Sequence, residues 1–326
     1  MKKAGVDNFA PIVLFTYNRP HHLQKTLEAL KQNELAPSSI LHIYSDGPKE
    51  DKQEDNRKRI SEVRELIRKE QWCGEVRIIE YEANKGLAAS IKTGVNEVIQ
   101  RYGRVIVLED DLVTSPFFLN YMNEALDFYE NRKAVFSISG YCLPPNKLRI
   151  PLDYPYDVFV SLRNSSWGWA TWTDRWNQID WDINAYESIH SDPNIKEAFN
   201  RGGDDVFGLL ESLKTGKLDI WSIQFTLAHF VNHAVSIVPV QSFVDNIGLD
   251  GSGENCRPSE TLRNRVLCTK KNIIFLDVLY EDKRIINAFY NTYCQRRRIL
   301  WQRVINRIYR MTGQNNLFTI KKKIYV

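Results

Sequence analysis

The chain has 326 residues, 43% hydrophobic and 26% charged, a balance that suits one large or two small globular domains and excludes an intrinsically disordered protein. No apolar run approaches the roughly 20 residues of a membrane span, and the opening M-K-K-A-G-V-D-N-F-A lacks the apolar centre of a secretion signal, so a cytoplasmic protein is expected. Eleven of the 44 Lys and Arg, and none of the 40 Asp and Glu, lie from Lys283 onward, so the net charge of +4 divides into an acidic body and a basic tail. The acidic body argues against broad nucleic-acid contact.

In chain order, short apolar runs alternate with helical patterns. Pro11 to Thr16 (P-I-V-L-F-T) reads as a buried strand, followed by a helical pattern through Leu23, Leu27 and Leu30. Ile40 to Ser45, Val76 to Tyr81 and Arg104 to Leu108 read as further strands, followed by helices at about Arg57 to Lys69, Leu87 to Ile99 and Pro116 to Tyr129. This alternation predicts an α/β protein with a doubly wound, mostly parallel central sheet over about residues 10–140. From Asn164 the chain turns aromatic and irregular: S-S-W-G-W-A-T-W-T-D-R-W-N-Q-I-D-W-D holds five Trp in eighteen residues. A helix over Ile220 to Asn232, a strand over Val235 to Val238 and a glycine-rich loop, N-I-G-L-D-G-S-G (Asn246 to Gly253), follow. Cys73, Cys142, Cys256, Cys268 and Cys294 are odd in number and scattered, which points to reduced structural thiols. Asn164-Ser165-Ser166 formally matches a glycosylation acceptor, a chance match without a secretion signal.

In doubly wound sheets ligands bind beyond the carboxyl ends of the strands. Three polar clusters fall there: T-Y-N-R-P (Thr16 to Pro20), S-D-G-P (Ser45 to Pro48) and E-D-D (Glu109 to Asp111), and they are expected to converge on one crevice. The last is the most telling, because adjacent carboxylates repel unless a cation or a proton relieves them. In an extended segment Glu109 and Asp111 face one way and Asp110 the other, so two can share a ligand such as Mg²⁺ or Mn²⁺. The plain alternative is that the acids start the next helix. Arg19 suits a bidentate phosphate contact or a loop salt bridge. Asp46 suits a ribose or base contact or a simple turn, and Lys85, beside Gly86, suits a phosphate contact or solvent. Phosphate-binding and dinucleotide-binding glycine motifs, G-x-S-x-G and H-E-x-x-H are missing, and His229 and His233 read as packing residues.

Taken together, A-P-I-V-L-F-T-Y-N-R-P-x-x-L-x-x-T-L, N-K-G-L-A-A-S-I-K-T-G and V-L-E-D-D-L-x-x-S-P-x-F-L resemble a glycosyltransferase of the GT-A fold. The nearer likeness is to bacterial family 2-like sugar transferases, the more distant to the N-acetylglucosaminyltransferase I family; W-G-W-A-T-W-x-D-R-W and the glycine loop are similar to segments of the bacterial group. The resemblance spans about Ala10 to Cys256. It implies a catalytic unit over residues 1–275, with a donor half at about 10–140, an acceptor half at about 141–275 and a basic helical extension at 276–326. It also implies a nucleotide-sugar donor, with a UDP-sugar such as UDP-GlcNAc or UDP-Gal first in view. Asp111 would hold Mn²⁺ or Mg²⁺, with Glu109 and Asp110 near the ribose and sugar. Arg19 would meet the diphosphate and Asp46 the base, with Thr16, Asn18, Lys85 and Gly86 completing the donor site. Asp219, in D-I-W, would be the general base of an inverting transfer, with Asp205 and Asp180 as rivals. Trp167 and Trp169, flanking Gly168, are the preferred exposed pair to hold an acceptor sugar, with an ordinary aromatic core as the alternative for any one Trp.

In the tail, Leu300, Val304 and Ile308 share one helical stripe, with Trp301, Ile305 and Tyr309 beside it, while Arg303, Arg307 and Arg310 face elsewhere. Such a helix can lie on an anionic membrane, where a lipid-linked acceptor of surface polysaccharide or lipopolysaccharide synthesis would be found; packing on the body or a dimer contact is the alternative. Two other classes stand beside the transferase: a nucleotidyltransferase, whose glycine-rich basic loop is missing here, and a non-catalytic nucleotide- or glycan-binding relative.

Overall fold

The computed structural model describes residues 9–50, 54–252, 258–312, 314, 315 and 317; Gly253 and Cys256 lie outside them. β1 (Ile12–Thr16), α1 (Pro20–Lys31), β2 (Ile40–Ser45), α2 (Glu54–Arg68), β3 (Glu75–Glu80), α3 (Leu87–Tyr102) and β4 (Arg104–Glu109) follow one another as the spacing predicted. After them come β5 (Leu112–Thr114), α4 (Phe118–Tyr129), β6 (Val135–Ser139), β7 (Val158–Ser161), β8 (Trp169–Trp172) and four short helices, α5 (Thr173–Trp176), α6 (Tyr186–Ser191), α7 (Pro193–Phe199) and α8 (Val206–Lys214). α9 (Trp221–Val231), β9 (Val235–Pro239), β10 (Val244–Asn246), α10 (Lys283–Tyr293) and α11 (Gln295–Met311) complete the chain.

Eight strands form one sheet in the order β3-β2-β1-β4-β8-β6-β9-β7, while β10 and β5 make a separate antiparallel ribbon. β1, β2, β3 and β4 pair in parallel, as do β6 and β9; β8 runs antiparallel to both β4 and β6, and β7 antiparallel to β9. Six strands therefore point one way, which puts the ends of β1, β2 and β4 along one edge. β1 is buried along its whole length, as a strand covered on both faces by helices requires. Its helix, α1, begins at Pro20, whose missing N–H costs nothing in a first turn, and turns Leu23, Leu27 and Leu30 inward. α3 stops at Gly103, which takes a left-handed φ of 82°.

The Trp-rich segment departs from its expected irregular form. β8 lies inside the sheet, so Trp169 is 1% exposed and packs on Trp176 and Trp221, at ring-centroid distances of 5.7 and 5.1 Å. Trp169 is thus a core residue and not part of an exposed pair: its face of the sheet is covered by α3 and α9, which pack Ile91, Val95, Trp221 and Phe225 into the same cluster. Trp172 points to the other layer, under the buried guanidinium of Arg175, which donates to the carbonyls of Tyr129, Glu130 and Val135.

The first part of the expected extension packs on the body. Leu276 and Ile285 are buried in the same core as β1, β4 and β6, so α10 belongs to the body; α11 is the element that turns an apolar face outward. Cys73, Cys142, Cys268 and Cys294 are free thiols. His229 packs as expected: its ring lies between Ser137 and the Phe225 carbonyl, at 2.8 and 2.7 Å.

Burial holds His229 and His42 at about 4, below the ordinary 6.5, with Arg77 adding to the effect on His42. The unfolded chain protonates these rings near 6.5, so it binds more protons than the folded chain below that pH, and stability is lost as the pH falls from 6.5 toward 4. Between pH 7 and pH 5 the urea midpoint of His229→Gln is expected to rise relative to that of the wild type; an unchanged difference between the two proteins would contradict this origin.

Candidate active site

Three strand ends build the site. β4 ends in Glu109, and the chain turns through Asp110 and Asp111 into β5. β1 ends at Thr16 and delivers Tyr17, Asn18 and Arg19 before α1 begins. β2 ends beside Asp46. Thr16, Asn18, Arg19, Asp46, Gly86, Glu109, Asp110 and Asp111 all line one cavity of about 130 Å³, so the expected convergence of the three polar clusters is what the fold produces.

The expected separation of Asp110 from the other two acids does not hold, because the strand stops at Glu109 and Asp110 shares a guanidinium with Asp111; Asp111 is still the strongest charge partner of Glu109. Arg19 Nη2 bridges the two aspartates, forming an ion pair with Asp110 and donating to Asp111 Oδ2 at 2.8 Å. Asp110 also accepts from the Thr16 hydroxyl and the Tyr17 N–H, both at 3.3 Å. Its carbonyl accepts from Thr26 Oγ1 at 2.9 Å, a hydroxyl set into the apolar stripe of α1. Among the described residues the Asp111 carboxylate bonds to Arg19 alone, and that of Glu109 to nothing. Burial, with Asp111 and Asp110 adding repulsion against the pull of Arg19, pushes Glu109 up from 4.5 to about 8. Burial also raises Asp111, with Arg19 opposing it. The acids do not start a helix: α4 begins only at Phe118, with β5 between.

The glycine loop lies directly over this cluster. The β5–β10 ribbon pairs Asn246 with Leu112, and the Ile247 N–H reaches the Asp111 carbonyl at 2.9 Å. A Cβ on Gly248 would stand 2.0 Å from Asp111 Oδ2 and 2.9 Å from Arg19 Nη1, so any larger residue must push the carboxylate aside. Ser252 reaches the cavity wall, and Asp250 pairs with His22 at 3.0 Å. The loop was visible in the sequence; its target was not, since that depends on two three-residue strands pairing across the chain.

Other expected residues find different work. Asp46 accepts four hydrogen bonds, from the N–H groups of Gly47, Lys85 and Gly86 and from Asn84 Nδ2, at 2.8–3.0 Å. Two carboxylate oxygens have room for about four such bonds, so Asp46 fixes the loop before α3 and has no lone pair left for a base. Lys85 is exposed, with its ammonium 3.6 Å from the Tyr81 ring centroid, and does not line the cavity. Asn18 donates to Asn56 Oδ1 at 2.6 Å. The cavity wall missed in the sequence includes Phe15, Tyr44, Leu87 and Ser90; the Ser90 hydroxyl is buried without a partner among the described residues.

On the far side, Trp167 is half-buried and meets Tyr141 edge-on at 4.5 Å. Asp205 is buried in a salt bridge to Arg163 at 3.0 Å, just beyond the end of β7 at the sheet edge opposite Glu109, which removes it as a base. Asp180 accepts from the N–H groups of Asp182 and Asn184 as a local turn cap. Asp219 is exposed immediately before α9 and is not part of the cavity wall.

The donor set suits a hard divalent cation: the oxygens are carboxylate, and Glu109 and Asp111 are ionised reluctantly without added positive charge. Among the described residues no three His, Cys, Asp or Glu side chains converge into a full cage. One or two carboxylates sharing a cation with substrate phosphates fits better.

The sequence model of the GNT-I family matches residues 1–186, more than half of the chain and all of the acid motif. The chain belongs to the GNT-I family. It is a glycosyltransferase. The matched part contains Arg19, Asp46, the three acids and Trp167, and ends before Asp205, Asp219 and the glycine loop. No curated protein sequence matches the chain. Solved structures of similar fold include the mannosyltransferase PcManGT of Pyrobaculum calidifontis in complex with GDP-Man and Mn²⁺, at 11% identity and TM-score 0.40 over 70% of this chain and 73% of that one. An active-site mutant of LgtC aligns at 10% identity and TM-score 0.37 over 67% and 69%, and UDP-glucose pyrophosphorylase complexed with UDP-glucose at 12% and 0.37 over 74% and 94%. At these levels they say nothing of the chemistry.

Because Gly248 sits against Asp111, Gly248→Ala in this GNT-I family member is expected to cut sugar transfer or donor hydrolysis by about a hundredfold through misplacement of that carboxylate. Gly208→Ala, in α8 with open space around the new methyl, serves as the control and is expected to keep wild-type turnover.

Proposed function

We propose that this protein is a divalent-cation-dependent, inverting glycosyltransferase that takes a sugar from a UDP-sugar, with UDP-GlcNAc and UDP-Gal the first to test. The acceptor is a glycan or lipid-linked glycan of bacterial surface polysaccharide or lipopolysaccharide synthesis, met on the cytoplasmic face of the membrane. The observation that carries the reading is the meeting of Glu109, Asp110, Asp111 and Arg19 in one cavity at the strand ends of a GNT-I family chain.

The nucleoside lies against the wall of Phe15, Tyr44 and Leu87, where the unpartnered Ser90 hydroxyl meets one of its polar atoms. The diphosphate faces the guanidinium of Arg19, whose charge offsets that developing on the leaving group. Mn²⁺ or Mg²⁺ on Asp111, when bound, adds Lewis-acid neutralisation of the same oxygens. Asp219 takes the proton of the acceptor hydroxyl as its oxygen attacks the anomeric carbon, and a single displacement inverts that centre. Two observations support Asp219 over its rivals. Its carboxylate has no partner among the described residues, and α9 starts with Trp221, packed on the Trp169 that pairs with Val107, two residues before Glu109. The exposed edge of Trp167 offers the acceptor ring an apolar face.

Among the described residues no helix is long and apolar enough to cross a membrane. α11 instead leaves Leu300, Trp301, Val304, Ile308 and Met311 exposed in a segment without acids, which supports docking on an anionic surface.

Two experiments test these readings. Donor hydrolysis with Mn²⁺, screened across UDP-, GDP- and dTDP-sugars, is expected to single out a UDP-sugar and to fall about a hundredfold or more in Asp111→Ala; unchanged hydrolysis in that variant refutes the metal assignment. In flotation with phosphatidylglycerol vesicles the wild type should rise at low salt, and the double variant Leu300→Ser, Trp301→Ser should stay below. Equal behaviour of the two sinks the membrane reading.

A further inference from the structure

We propose that Arg19 is the resident counter-charge of Asp111 and competes there with the divalent cation, so that cation and nucleoside diphosphate bind cooperatively, each weakly without the other. This rests on the reading above that Asp111 holds a cation, and concerns what controls its entry.

The two aspartates are held unequally. Asp110 has Thr16 and the Tyr17 N–H as well as Arg19, and its carbonyl is fixed by Thr26. The Asp111 side chain has only Arg19 Nη2, at 2.8 Å, among the described residues. Asp111 is therefore the carboxylate whose partner can be exchanged. A divalent ion placed on it would stand within a few ångströms of the guanidinium, in a site shielded from water, where like charges repel far more strongly than in solvent. The guanidinium cannot simply withdraw, because the Arg19 side chain is only 19% exposed and a partly buried charge is costly without an anion.

The donor supplies that anion. Arg19 uses Nη2 for both carboxylates, while its Nε and Nη1 make no hydrogen bond among the described residues and remain to meet phosphate oxygens. A diphosphate arriving alone meets three carboxylates and one guanidinium; a cation arriving alone meets a guanidinium already on its ligand. Arriving together, each removes the other's obstacle, which is a coupling free energy between two ligands and hence reciprocal.

The test is Mn²⁺ binding to the full chain, read by calorimetry or by the Mn²⁺ electron paramagnetic resonance signal, with and without UDP, in wild type, Arg19→Gln and Arg19→Lys. Wild type is expected to bind Mn²⁺ weakly alone and about tenfold or more tightly with UDP. Arg19→Gln should bind Mn²⁺ alone about tenfold more tightly than wild type, bind UDP more weakly and lose most of the coupling. Arg19→Lys, which keeps the charge, should bind Mn²⁺ alone as weakly as wild type. A gain of metal affinity is not a result that local unfolding produces. Mn²⁺ binding by Arg19→Gln no tighter than by wild type, while UDP still promotes it in wild type, overturns this inference and leaves the metal reading standing. Absence of Mn²⁺ binding in all three proteins with UDP present overturns both.

Discussion

Three carboxylates at the end of a buried strand, facing one guanidinium, set the terms for everything near them. Two unit charges 4 Å apart interact by about 4 kcal/mol in the effective dielectric of a protein surface and more where water is excluded, so Glu109, Asp110 and Asp111 cannot stand together unsupported. The surrounding fold reads as that support. β1 runs beside β4 and ends in the residues that hold Asp110; α1 contributes Thr26 from within its apolar stripe; the β5–β10 ribbon ties the Asp111 backbone through Ile247. Even so the charge is only partly balanced: burial first, and then repulsion from Asp111 and Asp110, pushes Glu109 up to about 8 against the pull of Arg19. A site left short of positive charge is suited to a ligand that brings some.

Much of this was legible in the residues. Strands of a parallel sheet covered on both faces must be continuous apolar runs, and the helices between them must carry one apolar stripe, so β1 to β4 and α1 to α3 follow from periodicity within a residue or three at their ends. That polar clusters at successive strand ends meet is a consequence of parallel strands alone. Where local pattern stops being the cause, legibility stops as well. β5 and β10 have three residues each and exist because they pair with one another; neither has a pattern long enough to read. The rule of alternating sides did not keep Asp110 apart, because it holds only while the chain is extended, and the strand ends one residue after Leu108.

Asp46 and Trp169 mark a different limit, one of role and not of position. An acid at a strand end and an indole near a site are equally good at binding a ligand and at holding the protein together; what separates the uses is whether their bonding capacity is already taken. Asp46 is filled by four donors from its own chain, and the ring faces of Trp169 are covered by Trp176 and Trp221, although its indole N–H has no partner among the described residues. Trp167, two residues earlier, escapes because Gly168 at φ 67° turns the chain before β8 enters the sheet.

The same criterion separates the candidate bases. A general base must be free to accept a proton from a substrate, and an aspartate whose oxygens already serve a guanidinium or a turn is not. Asp205 answers Arg163 at the opposite edge of the sheet, Asp180 caps its own turn, and Asp219 answers nothing among the described residues. The contrast with the donor side is physical. There the acids are buried and their partners can be enumerated, so roles follow from which valences are filled. On the acceptor side the groups that matter are the exposed ones, and an exposed carboxylate acquires its partner only when the acceptor arrives.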